Sequence, residues 1–234
     1  MTKKILITGA NGQLGHEMRN ALKGNNRFEC IFTDVAELDI CNAEAVKQTI
    51  ADNHIDYIVN CAAYTQVDKA EDNAELCKKI NTDAVENLAR AAADYGARMI
   101  HISTDYVFNG RGYRPYTEDV VPDPQSVYGS TKLEGEKILT DICPESIIIR
   151  TAWLYSPYGN NFVKTMLHLG EEREELSVVA DQIGTPTCAA DLAQAILVIL
   201  QADTFVPGTY HFSDEGACSC LLYTSPSPRD GLLS

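Results

Sequence analysis

The chain opens on a short apolar run that passes directly into three evenly spaced glycines. Residues 4–8 read Lys-Ile-Leu-Ile-Thr, followed by Gly9-Ala-Asn-Gly12-Gln-Leu-Gly15 and an amphipathic stretch over 13–23. A buried strand that ends in such a loop and restarts as a helix constrains the fold strongly. The glycines permit a tight turn, close approach of the backbone to a pyrophosphate, and close packing of helix on strand. The helix N-terminus then offers free N–H groups and the positive end of its dipole to phosphate. The spacing is G-x-x-G-x-x-G rather than the commoner G-x-G-x-x-G. An ordinary glycine turn has the same letters, but the position between the first strand and the first helix favours a dinucleotide cradle. Gly9, Asn11, Gly12, Gln13, Leu14 and Gly15 are the candidate contacts.

The same alternation continues along the chain. Near-continuous apolar runs at 29–33, 57–60, 99–103, 146–150 and 176–179 read as further strands buried on both faces. Helical periodicity fits 13–23, 43–53, 74–95 (broken near its start), 126–141, 160–172 and 191–201, and 208–213 fits a short strand. Repeated strand–helix order implies an α/β fold, a Rossmann-type doubly wound parallel sheet with right-handed crossovers. Residues 1–150 are expected to form the dinucleotide-binding domain. After Glu215 neither period persists, and Pro226 and Pro228 break any helix. Residues 217–234 are expected to be a poorly ordered tail.

Composition narrows the class of function. Acids exceed bases 33 to 19, giving a formal net charge of −14, which repels phosphate backbones and argues against nucleic acid as a partner. No apolar run approaches the roughly 20 residues needed to cross a bilayer, and the apolar stretch at the start is too short for a signal peptide. Eight cysteines without paired spacing are expected to be reduced thiols of a cytoplasmic protein. Neither Cys218-x-Cys220 nor the five histidines have ligand spacing, so no metal is expected.

The second strand ends at Thr33-Asp34, about 20 residues beyond the glycines, where a carboxylate accepts from an adenosine ribose. Such a carboxylate repels a 2′-phosphate and favours NADH over NADPH. Asp39 and Ile40 then lie along the adenine. The strongest chemical signal is Tyr128-Gly-Ser-Thr-Lys132, which places a phenol and an ammonium one helical turn apart on the same face. A phenol with a pKa near 10 is a poor acid or base at neutral pH, and a neighbouring ammonium is expected to lower it toward the working range. Lys132 is also placed to hydrogen-bond the nicotinamide ribose. Thr104 follows a strand, where its hydroxyl can polarise the same substrate oxygen.

These residues together resemble the extended short-chain dehydrogenase/reductases, and within them the branch that reduces 4-keto nucleotide sugars. The matching segments are Gly9 to Gly15, residues 59–71, Ser103-Thr-Asp-Tyr-Val-Phe108, Tyr128 to Lys132, Arg150-Thr-Ala-Trp153, Gly159-Asn-Asn-Phe162 and residues 181–187. The resemblance implies reduction of the 4-keto group of dTDP-4-dehydro-6-deoxy-L-mannose to dTDP-L-rhamnose with NADH or NADPH. It implies Tyr128 as proton donor, Lys132 as its partner and Thr104 tuning the transfer. Ala62, Ala63, Tyr64 and Thr65 would line the nicotinamide side, and Thr104, Asp105 and Trp153 would face the sugar. A homodimer is compatible with the resemblance, which does not fix the oligomeric state. Relatives continue past the segment resembling 213–219 with further helices. Residues 151–216 are therefore expected to be a partial substrate-binding region, interleaved with the Rossmann domain and C-terminally incomplete.

Plainer readings stand beside these. Trp153, the sole tryptophan, is as readily core as sugar platform, and residues 171–175 read as a solvated helix end. Two other functions share the fold: a nucleotide-sugar dehydratase or epimerase, and a non-catalytic subunit like the regulatory subunit of methionine adenosyltransferase. Dehydratases of the resemblance carry Asp-Glu after the threonine, whereas here Thr104-Asp105 is followed by Tyr106.

Overall fold

Alternating side chains on the first strand divide the core in two. In the computed structural model, which describes residues 2–224, Leu6 packs on one side of the sheet and Ile5 and Ile7 on the other, all fully buried. The strands are β1 (Lys3–Thr8), β2 (Phe28–Thr33), β3 (Tyr57–Asn60), β4 (Arg98–Thr104), β5 (Ile147–Thr151), β6 (Leu154–Tyr155), β7 (Ile183–Gly184), β8 (Thr187–Cys188), β9 (Gly208–His211) and β10 (Cys218–Ser219). The helices are α1 (Gln13–Ala21), α2 (Ala43–Asn53), α3 (Val67–Asp72), α4 (Ala74–Lys78), α5 (Ala84–Tyr95), α6 (Val127–Ile142), α7 (Phe162–Glu172), α8 (Ala189–Gln201) and α9 (Cys220–Thr224).

The main sheet has the order β2-β1-β3-β4-β5-β9, and every pairing in it is parallel. Leu6, Ile58, Met99 and Ile148 meet Val46 and Ile50 of α2, Leu88 and Ala92 of α5 and Leu139 of α6. On the other face Ile5, Ile7, Val59, Ile100 and Ile149 meet Leu14 and Met18 of α1 and Leu192, Ile196 and Leu200 of α8. Both faces are covered, which is why the strand sequences are continuously apolar. The chain reverses direction across the sheet between β1 and β3, and in such sheets ligands bind beyond the carboxyl ends of the strands at that point.

Two readings of these elements need correction, and a third is borne out with a detail added. Residues 176–179 are not a strand; Leu176 is 37% and Val179 51% exposed, so this apolar run has no facing layer. The sixth strand of the sheet is β9. The stretch over 74–95 is interrupted, as expected, but by a π-helical turn over Lys79–Asp83 between α4 and α5. Of the tail over 217–234, β10 pairs antiparallel with β7 and runs into α9, while residues 225–234 lie outside the described residues.

Candidate active site

The glycine loop is closed by contacts that leave no room for side chains. Gly9 has φ +64°, and a Cβ on it would stand 2.7 Å from the backbone of Ala62. A Cβ on Gly15 would come within 2.4 Å of the Gly9 carbonyl oxygen. Gly12 caps α1 without a side-chain hydrogen bond, so the helix N-terminus presents backbone rather than a side-chain cap. Leu14 is buried in the core and offers only backbone to the loop. Gln13 turns toward the C-terminal part of the chain, donating to Leu154 O at 3.4 Å and accepting from Asn161 Nδ2 at 2.9 Å.

Asp34 stands at the rim of this loop. Its Oδ2 accepts from the Asn11 N–H at 2.9 Å and its Oδ1 from the Val35 N–H at 2.8 Å. The carboxylate therefore ties the end of β2 to the turn after β1. Asp39 caps the Cys41 N–H at 2.9 Å. Ile40, expected along an adenine, is 8% exposed and packs in the core with Val46 and Ile50.

Beyond β3, Ala62 presses on Gly9, and Tyr64 is held from both sides by Asn81: its N–H donates to Asn81 Oδ1 at 2.9 Å and its carbonyl accepts from Asn81 Nδ2 at 3.1 Å. Asn81 lies in the π-helical turn, a geometry that recurs at functional sites. The sequence gives no sign of it beyond a polar residue inside a helical run. Ala63 and Thr65 lie on the same connection, Ala63 half-buried and Thr65 exposed.

Thr104 ends β4, and its hydroxyl accepts from the Tyr106 N–H at 3.2 Å and faces Asp105 Oδ1 at 3.2 Å. Ser126 caps α6 by accepting from the Gly129 N–H at 3.1 Å, which starts the helix immediately before Tyr128. A Cβ on Gly129 would stand 2.2 Å from the Tyr106 carbonyl oxygen, so glycine lets this helix close on the turn after β4. Tyr128 is 8% exposed, its ring 5.5 Å from that of Tyr106 in an edge-on arrangement. Burial pushes its phenol well above the usual range, opposed by a hydrogen bond with Thr104.

That direction corrects the expectation that Lys132 lowers the phenol. The Lys132 ammonium group is turned elsewhere: Nζ donates to Ile102 O at 2.6 Å and meets His101 Nε2 at 3.2 Å. Burial holds Lys132 down to about 8, with Glu136 and Cys77 opposing. Asp105 is pushed up to about 6, by burial first, against hydrogen bonds from Thr104 and the backbone. Thr104 and Tyr128 are thus together, while Lys132 reaches the group through the helix it shares with Tyr128.

Trp153 follows β5, whose Thr151 is in register with Thr104 of β4, so the chain leaves the sheet toward Trp153 at the level of Thr104. Its backbone has φ +47°, and its indole lies against Gly184, where a Cβ would be 2.4 Å away. Among the described residues no cluster of His, Cys, Asp and Glu is arranged to hold a metal ion, and no helix is long and apolar enough to cross a membrane.

A family model described as the RmlD substrate binding domain matches residues 3–225, past the point where the sequence motifs stop. The dTDP-4-dehydrorhamnose reductase of Escherichia coli K12 is 45% identical over 229 residues, covering 94% of this chain and 76% of that protein. The crystal structure of a dTDP-4-dehydrorhamnose reductase from Clostridium acetobutylicum superposes with a TM-score of 0.90 at 49% identity, over 94% of this chain and 78% of that one. The enzyme of the same name from Bacillus anthracis, solved in complex with NADP, superposes with a TM-score of 0.91 at 43% identity, over 96% and 79%. Sequence, fold and the position of the glycine loop agree: the chain belongs to the RmlD substrate binding domain family, among the dTDP-4-dehydrorhamnose reductases.

Proposed function

We propose that this chain reduces the 4-keto group of dTDP-4-dehydrorhamnose at the expense of NADPH or NADH. The observation that carries the reading is the buried Thr104–Tyr128 pair at the carboxyl edge of the sheet, beside the glycine loop. The residues present fit a dinucleotide, because backbone fills the space that a Cβ on Gly9 or Gly15 would take and α1 begins without a side-chain cap. The N–H groups of Gly12 to Gly15 would hold the pyrophosphate and Asp34 the adenosine ribose. Ala62 to Thr65 would line the nicotinamide, with Tyr128 and Lys132 toward its ribose. When bound, the reduced nicotinamide supplies the hydride for C4 of the sugar.

The protein's part is then to orient the sugar and deliver one proton. Burial keeps Tyr128 protonated at neutral pH, the form a proton donor to an emerging alkoxide requires. The Thr104 hydroxyl, beside the phenol, favours the phenolate left behind and would polarise the same substrate oxygen. Asp105 and Trp153 would border the sugar from the ends of β4 and β5.

The test is consumption of NADPH by the full chain with dTDP-4-dehydrorhamnose, with the product identified by NMR as the 4-hydroxy sugar. Oxidation of the cofactor without that sugar, or elimination of water from a 4-hydroxy sugar nucleotide, would replace this reading with another chemistry. Cofactor binding without turnover would favour the non-catalytic subunit.

A further inference from the structure

Behind Tyr128 the buried polar side chains form a row that crosses the sheet. Thr8 Oγ1 of β1 donates to Asn60 Oδ1 of β3 at 2.7 Å. The Ala62 N–H donates to the same oxygen at 3.2 Å. A hydroxyl can reverse its role, but a backbone N–H cannot, so the Asn60 amide cannot turn over without setting NH2 against N–H. Asn60 Nδ2 therefore donates to His101 Nδ1, 3.0 Å away.

His101 of β4 is fully buried, and burial, the larger cause, holds its ring well below the usual histidine range, so the ring is neutral even beside an uncharged Lys132. A neutral ring that accepts at Nδ1 carries its hydrogen on Nε2. That Nε2 lies 3.2 Å from Lys132 Nζ. An ammonium there sets donor against donor, whereas an amine nitrogen accepts the Nε2–H with its lone pair and still donates to the Ile102 carbonyl at 2.6 Å.

We propose that His101 is a positioning residue for Lys132: its Nε2–H, pinned by Asn60 and Ala62, orients the Lys132 nitrogen and favours the amine over the ammonium. The catalytic meaning rests on the reading of Tyr128 and Lys132 above; the hydrogen-bond logic does not. The groups that face Lys132 are His101 and the Ile102 carbonyl from β4, Cys77 from α4, and Glu136 from its own helix. Glu136 is already paired with Arg150 of β5 at 2.6 Å, which limits its pull on the lysine.

Two measurements on the full chain test this. Nitrogen NMR of 15N-histidine-labelled protein should show His101 as a neutral ring protonated at Nε2 across the neutral range; hydrogen on Nδ1, or an imidazolium, overturns the proposal. His101→Phe keeps a planar ring in the same space, removes the Nε2–H and adds no charge. In that variant the titration of Lys132, followed by 13Cε NMR of labelled lysine in the free protein, should move up by about one pH unit or more, a tenfold change in proton affinity. An unmoved titration overturns the proposal. Should the substitution prevent folding, the tautomer in the unaltered chain still decides. Neither readout needs turnover, so the expected tautomer and titration in a chain that reduces no sugar would sink the functional reading and leave this one standing.

Discussion

Arg150 Nη2 and Glu136 Oε2 stand 2.6 Å apart with side chains only 8% and 4% exposed, and this ion pair ties the helix of Tyr128 and Lys132 to the sheet. The Ser103 hydroxyl donates to the same carboxylate, and the guanidinium lies 5.2 Å from the centre of the Phe108 ring. β4, β5 and α6 therefore meet at a single carboxylate directly behind the candidate site. Removing one partner leaves the other charge buried and uncompensated, which costs on the order of 3–5 kcal/mol, whereas replacing both with apolar groups is often near neutral. Arg150→Met should lower the stability measured by urea unfolding by that amount. Adding Glu136→Leu should recover much of the loss. Equal losses in the single and double variants would show that the pair does not act as a unit.

Tyr128→Phe keeps the ring, its packing against Tyr106 and the helix, and removes only the proton donor. Turnover with the 4-keto sugar should fall by roughly 10² to 10⁴, the usual share of general acid catalysis. The dissociation constant for the cofactor, measured by fluorescence titration, should change little. Turnover close to that of the unaltered chain would remove Tyr128 from the reaction.

Much of this architecture is legible in the sequence because β1, β3, β4 and β5 are buried on both faces, and burial on both faces writes itself as a continuous apolar run. Residues 176–179 show the limit of that signal. They carry the same letters with no layer to cover them, while β9, half-exposed along its length, completes the sheet with a weaker pattern. At the site, Gly9, Gly15, Thr104 and Tyr128 are readable because spacing alone marks a loop or a helical turn. Asn60, Asn81 and His101 are single polar letters whose partners are distant in the chain, and Asn60 and His101 meet only because β3 and β4 pair in register. Lys132 is readable as a neighbour of Tyr128. The Ile102 carbonyl that captures its Nζ is not, and neither is the burial that reverses the expected direction for the phenol.

Cofactor choice turns on Asp34. Its carboxylate is held at the glycine loop by the Asn11 and Val35 N–H groups, and a charge fixed there repels a 2′-phosphate while accepting from ribose hydroxyls. The Bacillus anthracis relative was solved with NADP, so the strength of any discrimination has to be measured. Asp34→Ala should weaken NADH binding more than NADPH binding and shift their affinity ratio by roughly tenfold, about 1.4 kcal/mol. Titration of both cofactors against both proteins checks this. An unchanged ratio would place the ribose away from Asp34.

Asp105 makes the pH dependence of stability a probe of the site. Burial raises its carboxyl from 3.8 to about 6, with hydrogen bonds from Thr104 and the backbone opposing. The folded state therefore holds this proton more tightly than the unfolded state. The contribution to stability is complete below the unfolded value near 4 and is lost as pH rises through about 6. Above that the buried carboxylate costs the folded state up to about 3 kcal/mol, from roughly two pH units at 1.36 kcal/mol each. Asp105→Asn keeps the shape and the hydrogen-bonding oxygen but cannot ionise. Its stability, measured by urea unfolding at a series of pH values, should match that of the unaltered chain near pH 4. It should then exceed it by a growing margin that levels off above about pH 6. A margin that is constant across the series would mean that Asp105 ionises as freely in the folded chain as in the unfolded one, and that Thr104 faces a solvated carboxylate.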